Sequence, residues 1–370
     1  MPGRSICACC LSLLLALPAL SAADQQWDSI RGAVVTAGEP DVHWFTLRNG
    51  HTGHVFDAAT GESQGTLTLS MFSPALRPHL DAGFVYTYGS FYSRTYYGDR
   101  TDAVIFYDIA TMSPVDEVII PPKSAGIGHS GMIGLIDDRF VGVWNITPGM
   151  SVSIVDVVDR SFVGEISTPG CATVYPLGRG FFMICGDGAL QYVGLDETGA
   201  ESARMRSAEF FSVEDDAIYD YAVPTADGWL FVSMEGLVFE ATLVDDEIRV
   251  SEGWSIVSDE DRDEGWRIGG RQPFAYNAAT GIFMTLMHKG GGQETYKEPG
   301  TELWAFNLQT QRRGYRRELT NPSRNIALTR DADPVVLVVG TKPNEVDVRN
   351  AQSGRLLRTI TEVGGLVQVF

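Results

Sequence analysis

Cysteine and histidine are scarce in this chain. Five cysteines and six histidines occur in 370 residues, and Cys7, Cys9 and Cys10 stand before the first apolar run. No HExxH, paired CxxC or EF-hand loop occurs, nor does a G-x-S-x-G elbow, a Walker loop or a Rossmann fingerprint. His43, His51 and His54 are near in sequence, and the turn after Asn49-Gly50 would bring two of them close. No third ligand is evident, so no metal site is expected. Basic residues are outnumbered, 28 against 47 acidic ones, for a net charge of −19. A surface of that sign repels phosphate, which argues against nucleic acid and anionic membrane as partners. After the first residues no uninterrupted apolar run is long enough to span a bilayer. Long amphipathic helices and βαβ alternation are also missing, which removes the parallel α/β folds.

Residues 1–23 have the organisation of a secretory signal peptide. Arg4 supplies positive charge, Leu11 to Leu17 form an apolar stretch too short for a membrane span, and Ala19-Leu20-Ser21-Ala22-Ala23 offers small residues for cleavage. The chain is therefore expected to be exported and soluble. Beyond the leader only Cys171 and Cys185 remain. An even count in an exported chain suggests a disulfide. The two flank probable adjacent strands joined by Pro176-Leu177-Gly178-Arg179-Gly180, a hairpin able to bring them into range. Two buried free thiols are the alternative.

What the chain does have is a beat. Short β-rich segments end in an acidic or amide residue followed by a turn. The phrase stands at Asp57-Ala58-Ala59-Thr60-Gly61, Asp108-Ile109-Ala110-Thr111, Asp156-Val157-Val158-Asp159 and Asp196-Glu197-Thr198-Gly199. It returns at Asp245-Asp246-Glu247, Asn307-Leu308-Gln309-Thr310 and Asn350-Ala351-Gln352-Ser353-Gly354. A recurrence of about 49 residues with several strands per unit is the mark of a β-propeller. We expect an all-β, seven-bladed β-propeller over residues 24–370. Strand candidates cluster between turn signals throughout, as at Phe84–Tyr88, Ala103–Tyr107, Phe140–Trp144 and Val335–Val339. Two β-sandwiches would not explain the regular period. The longest interval, from Asp245 to Asn307, holds the charged run Ser258–Glu264, read as a loop or short helix, and the glycine-rich run Lys289–Glu294, read as a flexible loop.

Carboxylates are too abundant for any pair to stand out as an acid–base couple at a central pore. The residues by themselves therefore stop at an exported propeller with one disulfide.

Several runs resemble the heavy (large) subunit of the quinoprotein amine dehydrogenases, the methylamine and aromatic amine dehydrogenases. Arg94-Thr95-Tyr96-Tyr97-Gly98-Asp99-Arg100-Thr101-Asp102 is similar to the family's R-x-x-x-G-x-R-T-D segment. Pro169-Gly170-Cys171 through Cys185-Gly186-Asp187-Gly188 resembles its cysteine-ended hairpin, which carries a disulfide. Trp266-Arg267-Ile268-Gly269-Gly270-Arg271-Gln272 is close to W-R-P-G-G-W-Q, and Ile326–Pro334 with Asp347–Arg358 looks like its last blade elements.

The resemblance implies a heavy subunit that carries neither cofactor nor catalytic residues. The tryptophan tryptophylquinone would lie in a small cysteine-rich light subunit, in an assembly of two heavy and two light chains. Primary amines would be oxidised to aldehyde and ammonia in the periplasm. The electrons would pass to a periplasmic copper protein or cytochrome c. Two departures stand out. The first hairpin closes through Asn49-Gly50-His51-Thr52-Gly53, shorter than in the family, where a phenylalanine of the longer connection reaches the substrate channel. Phe45 is read instead as core. Arg271 replaces a tryptophan, and Tyr296-Lys297 replaces histidine-lysine. The shorter hairpin also motivates an alternative, a non-enzymatic periplasmic scaffold that has lost its quinone partner.

Overall fold

Burial along the strands follows their place in each sheet. Phe140–Asn145 and Ser151–Asp156 are buried on both faces, whereas Ser161–Ser167 beyond them is mostly exposed. Strands covered on both sides read as continuous apolar runs, and outer strands do not. The computed structural model describes residues 37–370 apart from 71–74, 124–128, 343 and 362; residues 1–36, with the expected signal peptide, lie outside the described residues. Ala37–Phe370 form one compact unit.

Among the described residues, antiparallel strands form six sheets. The first joins Leu366–Val369, Trp44–Asn49, Thr52–Asp57 and Ser63–Thr68; the second holds Arg77–His79, Phe84–Arg94, Tyr97–Asp108 and Ser113–Ile120. The third comprises Ile133–Ile136, Phe140–Asn145, Ser151–Asp156 and Ser161–Ser167, and the fourth Cys171–Pro176, Gly180–Cys185, Leu190–Leu195 and Glu201–Arg206. The fifth runs Val223–Pro224, Gly228–Val232, Leu237–Val244 and Glu247–Val250, with Trp254–Ser255 added at its side.

The all-β propeller expected from the sequence is present, but the seven-bladed count is corrected. Five blades stand as separate sheets; the strands from Trp266–Ile268 to Leu356–Thr361 pair as a single eight-stranded sheet. The cause is Arg312–Leu328, a 17-residue strand. Its start pairs with Gly300–Asn307 (Asn307 opposite Arg312) and its end with Val335–Gly340 (Leu328 opposite Val336), so the ladder continues unbroken. The seven phrases are nonetheless real turns, each leading out of a strand into the next one outward. The Asp57 carboxylate accepts from the Ala59 amide at 2.6 Å, Asp108 from Thr111 at 2.7 Å, and Asn350 from Ser353 at 3.0 Å. Such side chains hold turns by bonding the backbone just ahead. The beat thus counts hairpins rather than sheets, and two of them, at Asn307 and Asn350, fall in the one long sheet.

The core lies between neighbouring sheets. One cluster joins Phe106 of the second sheet to Val141 and Ile154 of the third and Phe181 of the fourth. Another packs Tyr219, Phe274, Phe283, Trp266 and Trp304. The charged run after Val257 forms the short helix Asp259–Asp263, capped by the Ser258 hydroxyl. Burial works to raise the Asp261 pKa, but hydrogen bonds from Ser258 and Arg313 outweigh it and hold the group below the usual carboxylate range. Lys289–Glu294 leads into a 3-10 turn, Gln293–Thr295.

Two devices close the array. The C-terminal strand pairs with the first described strand, setting Val369 opposite Phe45 and Val367 opposite Leu47. Side chains near the axis also bond the backbone of neighbouring sheets. The Gln368 carboxamide accepts from the Leu76 amide at 2.7 Å and donates to the Leu76 carbonyl at 3.1 Å. Gln272 treats Val367 the same way, at 3.1 and 3.0 Å. Arg77 donates to the Ser130 carbonyl and Tyr175 to that of Asp220. The Trp144 indole reaches Cys171 at 3.2 Å, Tyr219 reaches Ile268 at 3.2 Å and Asn325 reaches Gly365 at 2.8 Å; within the eight-stranded sheet Asn277 likewise reaches Thr329 at 2.7 Å. A carboxamide carries both a donor and an acceptor, so it can stand in for a missing β-partner.

Two predictions follow from these links. Gln368→Leu leaves the buried Leu76 amide without an acceptor and should cost about 1–3 kcal/mol in chemical denaturation; an unchanged midpoint would show that the carboxamide bridge carries no stability. Cys171 and Cys185 are bonded and stand opposite each other in register, 14 residues apart in sequence. Replacing both by serine should lower stability by about 3 kcal/mol, the loop-closure value for a ring of this size. Equal midpoints for the two proteins would count against it.

Candidate functional site

The innermost strands surround an axial cavity of about 550 Å³. Each sheet contributes, through Leu76-Arg77, Ser130-Gly131, Tyr175-Pro176, Tyr221 to Thr225, Gln272 to Ala278, Ala327 to Arg330, and Val367 to Val369. Asp138, Thr225, Ala278 and Arg330 lie within two residues of the ends of Ile133–Ile136, Val223–Pro224, Phe274–Asn277 and Arg312–Leu328, and so form a rim. A concave, partly apolar space with a few convergent polar groups is the usual form of a binding site.

Its electrostatics are unusual for so acidic a chain. Arg77 donates to two carbonyls, Leu76 at 2.8 Å and Ser130, and to no carboxylate. Burial lowers its pKa to about 10, and the charge of Arg330 pushes the same way. Arg330 itself is lowered by the crowding of protein around it, although its side chain stays accessible from the cavity. Among the described residues it has no ion pair or hydrogen bond. Burial raises the phenols of Tyr175 and Tyr221, so both remain neutral donors. Among the described residues the one lining carboxylate, Asp138, is 83% exposed and lies 4.0 Å from His79 Nε2.

The residues singled out from the sequence are dispersed. Cys171 and Cys185 are joined as expected. Phe45 is fully buried and stacks on Phe56 with ring centroids 5.8 Å apart, so it is core. The first hairpin closes through Gly50-His51 alone, with Asn49 opposite Thr52 and Gly50 at φ 58°. The segment Arg94–Asp102 forms the far end of the long hairpin Phe84–Arg94/Tyr97–Asp108. There Arg100 forks onto the buried Asp102 carboxylate at 2.8 Å on both oxygens, and Phe91, Tyr96 and Tyr97 are exposed. In the run Trp266–Gln272 the ends diverge. Trp266 packs on Trp304 at 5.4 Å and lies under Arg316 at 4.5 Å, while Gln272 reaches the axis. Arg271 between them is exposed. Lys297 lies over the Tyr296 ring at 4.6 Å. His43 lies 3.4 Å from Asp331, and among the described residues no group of three or more His, Cys, Asp or Glu is placed to hold a metal ion.

Sequence reasoning missed Arg77, Tyr221, Arg330 and Gln368. Gln272 and Arg330 sit inside quoted runs, but nothing local tells that they face the axis. These residues share no position in the strands: Arg77 opens one, Tyr221 and Gln272 precede theirs, Arg330 follows one and Gln368 lies within one, so no local signal marks them.

The profile described as "Methylamine dehydrogenase heavy chain (MADH)" matches residues 47–370. The methylamine dehydrogenase heavy chain of Methylobacillus flagellatus is 25% identical over 289 residues, covering 77% of this chain and 72% of that protein. The heavy chain of Paracoccus versutus is 24% identical over 322 residues, 85% of this chain and 74% of its own length. Among solved structures, the dihydro-heme d1 dehydrogenase NirN superposes with a TM-score of 0.56 at 14% identity, over 90% of this chain and 76% of its own. Hydrazine synthase of Kuenenia stuttgartiensis gives 0.57 at 12%, over 86% of this chain and 95% of its own. At such identities these two likenesses speak for the fold alone. The unbroken profile match, from the first hairpin to the closing strand, means that this chain belongs to the methylamine dehydrogenase heavy chain family.

Proposed function

We propose that the chain is the heavy subunit of a periplasmic amine dehydrogenase that oxidises primary amines to aldehyde and ammonia. The observation that carries this reading is the profile match over residues 47–370, which runs in order through every sheet of the propeller. Residues 1–23 serve as the export signal. The quinone chemistry, two-electron oxidation of the amine, belongs to tryptophan tryptophylquinone in a separate light subunit. Two heavy and two light chains assemble, and a periplasmic copper protein or cytochrome c takes the electrons. This chain's part is to hold the light subunit and wall the approach to its quinone. The exposed Phe91, Tyr96 and Tyr97 give the long hairpin an apolar face suited to a protein partner.

A second reading rests on the two-residue turn at Gly50-His51, which leaves no connection to reach into a channel. On that reading the propeller is a periplasmic scaffold without a quinone partner.

Purification from the native host, followed by intact-mass measurement of what accompanies the chain, separates the two. The first reading expects a small cysteine-rich chain with quinone absorbance, a heavy chain shortened by its leader, and amine-dependent dye reduction by the complex. The propeller recovered with no such companion would favour the scaffold. Dye reduction by the isolated propeller would sink the division of labour between subunits.

A further inference from the structure

We propose that the axial cavity is a binding site for a small oxyanion, a carboxylate or phosphate group, held between Arg77 and Arg330. The first ground is charge. In a chain with 47 acidic residues, carboxylates pair with Arg100, Arg139, Arg160, Arg204, Arg313 and Arg316, among others. Among the described residues Arg77 and Arg330 have no such pair, although both line the cavity and are close enough for the charge of one to lower the pKa of the other. Two like charges lining one cavity repel each other, and an opposite charge between them relieves that repulsion. Guanidinium forks match the oxygens of carboxylate and phosphate, often two at a time.

The second ground is the polar lining beside Arg77. Gln272 Nε2 donates to the Tyr221 hydroxyl at 3.2 Å, which leaves the phenolic proton free to point into the cavity. Arg77 is fixed by the Leu76 and Ser130 carbonyls, so one fork is already oriented before a ligand arrives. Pre-set donors lose little freedom on binding. Phe274, Trp229 and Leu76 complete the lining, so an anion with a small apolar body fits as well as a bare one. Asp138 at the rim points away from this role, exposed and beside His79. The site stands on this chain's own residues and needs no light subunit.

The test uses the full chain as purified from its host. Acetate, benzoate and inorganic phosphate are titrated by calorimetry at ionic strength held constant with chloride, while tryptophan emission, to which Trp229 on the cavity wall contributes, is followed in parallel. Saturable binding of at least one anion with an emission change is expected, and the comparison of phosphate with the two carboxylates identifies the headgroup. Arg330→Gln should weaken that binding about tenfold or more, as loss of a charge-assisted contact does. Arg355→Gln, at an exposed arginine outside the cavity, should leave it unchanged. Tyr221→Phe should weaken it by a smaller factor and gives a second variant should Arg330→Gln fold poorly. No saturable binding of any of the three, or equal affinity in Arg330→Gln and the unaltered chain, would overturn the proposal.

Discussion

Everything in this molecule depends on backbone groups near the axis finding partners outside their own sheet. The innermost strand of a blade has a neighbour on one side only, so its inward-facing amides and carbonyls would otherwise be left unmatched. Here they are met by side chains from the next sheet, Gln368 on Leu76, Gln272 on Val367 and Asn325 on Gly365. Each link is worth little as a net gain, but each would be expensive to leave open. The links also set how closely the strands approach, and thereby the width of the space they enclose. Arg77 belongs to the same set, because its guanidinium both ties one sheet to the next and lines the cavity.

Much of the fold was legible because its signals are local. A carboxylate or amide ahead of a turn bonds the amides that follow it, and that chemistry needs no knowledge of the rest of the chain. Strand type was readable for the same reason, since Phe140–Asn145 carries the apolar continuity of a strand covered on both faces. The blade count was not legible. Whether Arg312–Leu328 breaks between its two halves or runs on depends on backbone direction over the residues from Leu319 to Ser323, and no residue there announces continuity. A turn-counting argument cannot see whether two hairpins share one ladder.

The candidate site was barely legible, and the reason is geometric. An axial cavity is assembled from short stretches of every sheet, far apart in sequence. No window of sequence contains it. The side chains that matter also differ in kind from one position to the next, arginine, tyrosine, glutamine and arginine again, so a period search finds no common letter. The family resemblance was readable where runs are contiguous, as in Arg94–Asp102 and Trp266–Gln272. Yet in the second of these only the last residue belongs to the axis, while the first packs in a tryptophan–arginine stack far along the sheet.

The pairing of the last strand with the first has a consequence for how the molecule comes into being. Thr46 meets Gln368 across 322 residues of chain. Trp44–Asn49 therefore waits with one edge open until the final strand has formed, and contacts of such separation are slow to make. Every other sheet can complete itself from neighbouring sequence, so closure is the last event and the one the rest of the ring must hold its shape to receive. A chaperone that shields a strand edge would find its natural target there, on the sheet that is started first and finished last.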